Sequence, residues 1–341
     1  MSRSFSPFAA LAALALGGSF SAQAQLWATP QETARQPVLK GFTAQEQGKV
    51  LRLEGTTVTL DIVAGRVVGV LVEGRDVANV ARGLSAAWGT DPEDATRLAA
   101  QLSAKSFQSR ARLGLVQPSD ENGTDLLAVR LTGSGSTQRW RIYSALNVIP
   151  ESQFPSTRNV TGKTSAPNVI HVLSDFQCPA CRQLWATELP KWRKQPDVYR
   201  VHYHHFPLSY HANAAAAAEA SECAAQQGKF WNYADELFAQ FGRWSRLDAA
   251  QAQKQFGEYA SRLKLGRPAF DQCLSKHQTK AEVARQMKGA DSLFLTGTPT
   301  IYLNGVKLTD WSPEEMRRIQ AVTKAKPGAA SVIEARLKTF R

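Results

Sequence analysis

Between residues 168 and 206 the sequence changes its hydrophobic period twice, and this stretch constrains the fold more than any other. Val169, Ile170, Val172 and Leu173 form a short, nearly continuous apolar run, the pattern of a strand covered on both faces. It leads into Cys178-Pro179-Ala180-Cys181. From there Cys181, Leu184, Trp185, Leu189 and Trp192 recur at helical spacing, so one apolar face runs on from the motif, with Pro190 expected to kink it. Residues 198–206 read as a second strand. Strand, helix and strand in this order predict a right-handed β-α-β unit with the two cysteines at the strand-to-helix junction.

Downstream the pattern is helical over 212–225, 230–241, 249–265, 268–274 and 281–294. Two apolar segments, 300–303 and 306–308, then flank Asn304-Gly305, a strong hairpin signal because both turn residues tolerate positive φ. A helix over 313–323 closes the series. Upstream, residues 48–80 alternate in the strand manner with Gly55, Gly65 and Gly74 between the runs, which predicts a three-stranded meander. Helices over 77–88 and 91–106 follow, the second opened by Asp91-Pro92 as cap and first helical residue. Apolar segments at 126–131 and 140–148 complete an α+β domain in which no chemical motif occurs. The stretch 151–168, with Pro155, Gly162, Pro167 and several Ser and Thr, has linker composition.

At the N-terminus Arg3 precedes an apolar run from 8 to 16 and then Ala22-Gln23-Ala24, the pattern of a cleaved secretory signal over 1–24. The run is shorter than the roughly 20 residues a spanning helix needs. The chain beyond it exceeds the roughly 100–200 residues of a single domain, so two domains are expected. The formal net charge is +12. The basic residues, among them Arg182, Lys191, Arg193, Lys194, Arg317 and Arg318, are scattered without the aromatic interleaving of a nucleic-acid platform, and no nucleic-acid partner is expected.

The chemistry in the sequence lies in its four cysteines, Cys178, Cys181, Cys223 and Cys273. Disulfide exchange is performed by a thiolate, and a free cysteine with pKa about 8.5 is a few per cent ionised at neutral pH. Where a strand ends and a helix begins, unpaired backbone N–H groups and the positive end of the helix dipole face the Cys178 sulfur and stabilise its thiolate. Cys181, one turn along, is the natural resolving thiol. The competing reading of a C-x2-C is half of a zinc site, with His202, His204, His205 and His211 downstream. Successive strand residues point to opposite faces, so His204 and His205 cannot face one ion, and no second CxxC occurs. No metal ligand and no cofactor are therefore assigned.

Four motifs together make the assignment specific: Asp175-Phe176-Gln177-Cys178-Pro179-Ala180-Cys181; His205-Phe206-Pro207-Leu208; Gly228-Lys229-Phe230-Trp231 followed by Glu236-Leu237-Phe238; and Gly297-Thr298-Pro299-Thr300. From about 168 to 325 the sequence resembles the DsbA-like branch of the thioredoxin superfamily. The fold class this implies is α/β, a thioredoxin-like domain over 169–341 with a helical insertion at about 211–294, preceded by the smaller α+β domain of 25–150. The resemblance further implies that Pro299 is a cis-proline beside the CxxC and that the Thr298 backbone pairs with extended client peptide. Pro179, Thr298 and Pro299 thus join Cys178 and Cys181 as site residues. Strong oxidants of this branch commonly carry His before the second Cys, where this chain has Ala180, which donates no hydrogen bond to the thiolate.

Cys223 and Cys273 both fall in the insertion, and a structural disulfide between them is expected, with a shuttle pair exchanging with Cys178 or Cys181 as the alternative. Phe176, Trp185 and Trp231 are read as core rather than as a client-binding rim, and Asp175 as a solvated strand-end carboxylate. The function expected is that of an exported, periplasmic or extracellular thiol-disulfide oxidoreductase that forms disulfides in reduced or misoxidised secreted proteins. Family resemblance adds a membrane redox partner. A disulfide isomerase or reductase, oligomeric through the N-terminal domain, is the alternative, and a client- or metal-binding module without redox turnover is a third reading; the oligomeric state stays open.

Overall fold

The computed structural model describes residues 25–118, 123–291, 293, 295 and 297–340, so the signal-like segment 1–24 lies outside the described residues. The described residues form two compact units, the first made of those up to 148 together with 310–340, the second of those in 149–309.

In the first unit a short helix, α1 (Pro30–Ala34), precedes strands β1 (Thr43–Gln45), β2 (Val50–Leu53), β3 (Thr56–Val63) and β4 (Arg66–Gly74). Helices α2 (Val77–Trp88), α3 (Pro92–Ser103) and α4 (Lys105–Leu113) follow, then β5 (Leu115–Pro118), β6 (Asp125–Thr132) and β7 (Arg139–Leu146). All seven strands pair antiparallel in the order β1-β2-β3-β4-β7-β6-β5. The alternation read over 48–80 is the meander β2-β3-β4. Helix α2 starts where Asp76 accepts a hydrogen bond from the Asn79 N–H at 2.7 Å and ends at Gly89, whose φ of 65° suits a residue without Cβ. Asp91 caps α3 by accepting from the Glu93 and Asp94 N–H groups, with Pro92 at the first helical position. Val58, Val72, Leu84, Leu98, Trp140 and Ile142 meet in one core, buried between helix and sheet.

The second unit holds β8 (Val160–Thr161), β9 (Asn168–Ser174), α5 (Pro179–Thr187), α6 (Leu189–Arg193) and β10 (Tyr199–His205). Helices α7 (Ala214–Ala225), α8 (Phe230–Ala239), α9 (Phe241–Trp244), α10 (Ala249–Arg262), α11 (Arg267–Ser275) and α12 (Lys280–Asp291) form the insertion, and β11 (Thr300–Leu303) and β12 (Val306–Lys307) resume the sheet. The strand order is β12-β11-β9-β10-β8; β9 and β10 are parallel and the other pairs antiparallel. Pro190 separates α5 from α6 at Glu188, as a residue that cannot continue the hydrogen-bond ladder must. Asn304 and Gly305 sit at φ 50° and 83° in the β11–β12 turn.

Two boundaries differ from those read in the sequence. The stretch 151–168, expected to be a linker, is an ordered part of the second unit: β8 extends its sheet, Phe154 enters a core with Leu173 and Tyr302, and the Asn159 side chain donates to Glu222 at 2.5 Å. Proline and serine made this stretch look like a linker, but an edge strand needs little apolar sequence. Residues 310–341, expected to complete the domain of 169–341, belong to the first unit. The helix α13 (Pro313–Lys324) and a further helix, α14 (Ala329–Lys338), bring Val322, Ala329, Ile333 and Phe340 into the core of Val58 and Trp140. Arg336 on α14 also pairs with the buried Asp61 of β3.

Candidate active site

Cys178 is the N-cap of α5, with extended backbone (φ −81°, ψ 124°), and Pro179 takes the first helical position, where a missing N–H costs nothing. The sulfur therefore sits over the open end of the helix. It lies 3.3 Å from the carbonyl oxygen of Thr298, to which the thiol donates. Thr298 precedes Pro299 through a cis peptide bond at the start of β11. One turn on, Cys181 is fully buried, and its sulfur accepts from the Asp175 N–H at 3.5 Å.

The two thiols are chemically unequal. The Cys181 thiol, hydrogen-bonded to the Cys178 sulfur, is the main cause that lowers the Cys178 pKa to about 5, joined by the side chain of Thr298 and the N–H groups of Cys181 and Ala180, while burial opposes it. Burial first, and then the thiolate it faces, pushes Cys181 well above its ordinary range. At neutral pH such a pair holds one anionic and one protonated sulfur.

The loop between β9 and α5 is tied down by groups that the sequence reading missed. Asp175, read as solvated, is buried, and its carboxylate accepts from the Gln177 N–H at 2.6 Å, the Leu208 N–H at 2.8 Å and His211 Nδ1 at 2.7 Å. The side chain of Gln177 spans the other way, accepting from the Asn213 N–H and donating to the Ser245 carbonyl, both at 2.6 Å. The motif is thus braced against the insertion from both sides. The signal available in the sequence was Asp175-Phe176-Gln177, an Asx turn in which the carboxylate bonds the N–H two residues on. Phe176 and Trp185 are buried and pack on Tyr203 and Phe238, and Trp231 stacks at 5.9 Å on Trp185.

Cys223 on α7 and Cys273 on α11 are joined as a disulfide with Cα atoms 5.9 Å apart. Cys178 and Cys181 are free thiols. A low-pKa thiolate with a protonated neighbour one helical turn away can attack a disulfide or, when bonded to that neighbour, be attacked by one thiolate and released by a second.

A family model described as Thioredoxin matches residues 155–320. The probable disulfide bond formation protein D of Bacillus anthracis is 26% identical over 155 residues, 44% of this chain and 71% of that protein. The Na(+)/H(+) antiporter NhaA 1 of Salinispora arenicola is 33% identical over 154 residues, 44% of this chain and 22% of the antiporter. The chain thus spans about a quarter or less of the antiporter relatives it matches, and among the described residues no helix is long and apolar enough to cross a membrane. Among solved structures, BdbD from Bacillus subtilis (oxidised) aligns with TM-score 0.43 at 20% identity over 51% of this chain and 94% of that one. Wolbachia pipientis α-DsbA1 aligns with TM-score 0.43 at 18% identity over 54% and 98%. The matched residues 155–320 carry the parallel β9–β10 pair, the CxxC at the head of α5 and the helical insertion, and over this stretch the chain is similar to the thioredoxin family.

Proposed function

We propose that the chain is an exported thiol-disulfide oxidoreductase that forms disulfides in secreted client proteins. One observation carries this reading: the Cys178 thiol is held down to about 5 while Cys181 is held up. A thiolate stabilised in the reduced protein makes the oxidised protein the better electron acceptor.

In the oxidised protein a client thiolate attacks the Cys178 sulfur. The Cys178–Cys181 bond breaks, a mixed disulfide forms, and the Cys181 thiolate takes a proton. A second client thiolate then attacks the client sulfur of the mixed disulfide and releases Cys178 as a thiolate; the client loses two electrons and the protein gains them. The Thr298 carbonyl lies 3.3 Å from the Cys178 sulfur, and Thr298 and Pro299 would take the client backbone, with Thr298 pairing to extended peptide. A membrane partner accepts the two electrons and regenerates the disulfide. Cys223 and Cys273 have a structural role.

The test is the redox equilibrium of the mature protein against glutathione, with a Cys223→Ser/Cys273→Ser variant alongside. A potential more oxidising than about −200 mV, toward the −120 mV of strong periplasmic oxidants, is expected; one near −270 mV would make the protein a reductase.

A further inference from the structure

Parallel strands buried on both faces are normally apolar, yet β9 and β10 place three imidazoles on one face of the sheet. His171 and His202 are direct partners across the parallel ladder, and His204, two residues on, points the same way as His202. His171 Nδ1 and His204 Nε2 are 2.9 Å apart, and one ring nitrogen from each of the three lies within 4.8 Å of the other two. His171 and His204 are buried, and His202 Nε2 is a buried atom without a hydrogen-bond partner among the described residues. The far nitrogen of His171, Nε2, meets the Glu151 carboxylate at 2.9 Å, and Phe154 stacks flat on its ring at 3.8 Å. Tyr203, pointing to the opposite face, packs on Trp185 of α5, so the three imidazoles lie on the side of the sheet away from the thiols.

We propose that His171, His202 and His204 bind a divalent transition metal of the zinc class. Imidazole nitrogen suits this class, and ligands about 2.0–2.1 Å from a tetrahedral ion lie about 3.3 Å apart, so modest ring rotations within the observed spacing bring all three onto one ion. Glu151 has the position of the carboxylate that orients a metal-bound imidazole through its other nitrogen. Its side chain is 62% exposed, which leaves a path from solvent to the cluster. The three protein ligands leave a fourth position for water. His171 escaped the sequence reading because its partners lie 31 and 33 residues away on another strand.

The test uses the full mature chain carrying Cys178→Ser/Cys181→Ser, which removes the other pair of ligands able to hold zinc. Zn2+ is titrated by calorimetry, and Co2+ is followed by its visible absorption. One Zn2+ per chain is expected, with a Co2+ spectrum of nitrogen and oxygen ligation. His202→Ala, at the partly exposed position, should lower the affinity about 100-fold or more, and Glu151→Gln about 10- to 100-fold, the usual cost of losing an orienting carboxylate. Thermal unfolding in chelator reports whether each variant is folded, and added Zn2+ should raise the melting temperature of the parent but not of His202→Ala. Absence of binding in the parent, or binding unchanged in folded His202→Ala, overturns the proposal.

Discussion

At the scale of single residues, the site turns on how differently two neighbouring sulfurs are treated. Cys178 caps a helix and accepts a hydrogen bond from Cys181; Cys181 is sealed from water. Alkylation of the reduced protein should therefore titrate with a midpoint near pH 5 at Cys178 and leave Cys181 unmodified, as read by mass spectrometry after timed quenching. A thiol whose folded pKa is depressed adds stability that is present above its unfolded pKa and lost as pH falls through the folded one. The melting temperature of the reduced protein, relative to the oxidised one, should accordingly rise from pH 5 to pH 8. Cys181→Ser should accumulate mixed disulfides with reduced client, and Cys178→Ser should form none. Asp175 is a second case. Replacing it by Asn puts an amide where three donors converge, and a cost of about 1–3 kcal/mol is expected in denaturant unfolding, the penalty for leaving buried polar groups unpaired. The cysteines were legible from the strand-to-helix junction, because the chemistry is local. The burial of Asp175 was not, since His211 and Leu208, which enclose it, come from after the next strand.

At the scale of elements, what the sequence made readable is what short-range rules govern. The β2-β3-β4 meander, the Asp91-Pro92 start of α3 and the Asn304-Gly305 turn were all stated by residues within a few positions of each other. Gly305 shows why the turn is so plain: it holds φ 83°, and a Cβ there would press on the Ile149 carbonyl. Gly305→Ala should cost about 1 kcal/mol or more, seen as a lower urea midpoint with unchanged slope. The Cys223–Cys273 bond links α7 and α11 across 50 residues of chain. In the chain-entropy account such a loop is worth about 4 kcal/mol, so Cys223→Ser/Cys273→Ser should melt well below the parent while the Cys178–Cys181 pair keeps its potential. A shift in that potential would revive the shuttle reading. Phe154 and β8 were missed because composition, which reads Pro and Ser as linker, is blind to one aromatic ring and two edge-strand residues.

At the scale of the whole molecule, the helical pattern over 313–323 was visible, but not the core it enters. An amphipathic stripe states that a face will be buried and says nothing of the partner. In the structure Val322, Ala329, Ile333 and Phe340 complete the core of the first unit. Ending the chain after Thr309 should therefore leave that unit with an open apolar face, detected as dye binding and as loss of its melting transition. The division has a further consequence for the order of events during synthesis. The residues of the second unit form one uninterrupted stretch, finished when residue 309 has been made, whereas the unit that begins earlier waits for its last two helices. The domain translated first is the one able to fold last, and until then the seven-stranded sheet is left without the side chains of α13 and α14 that complete its core.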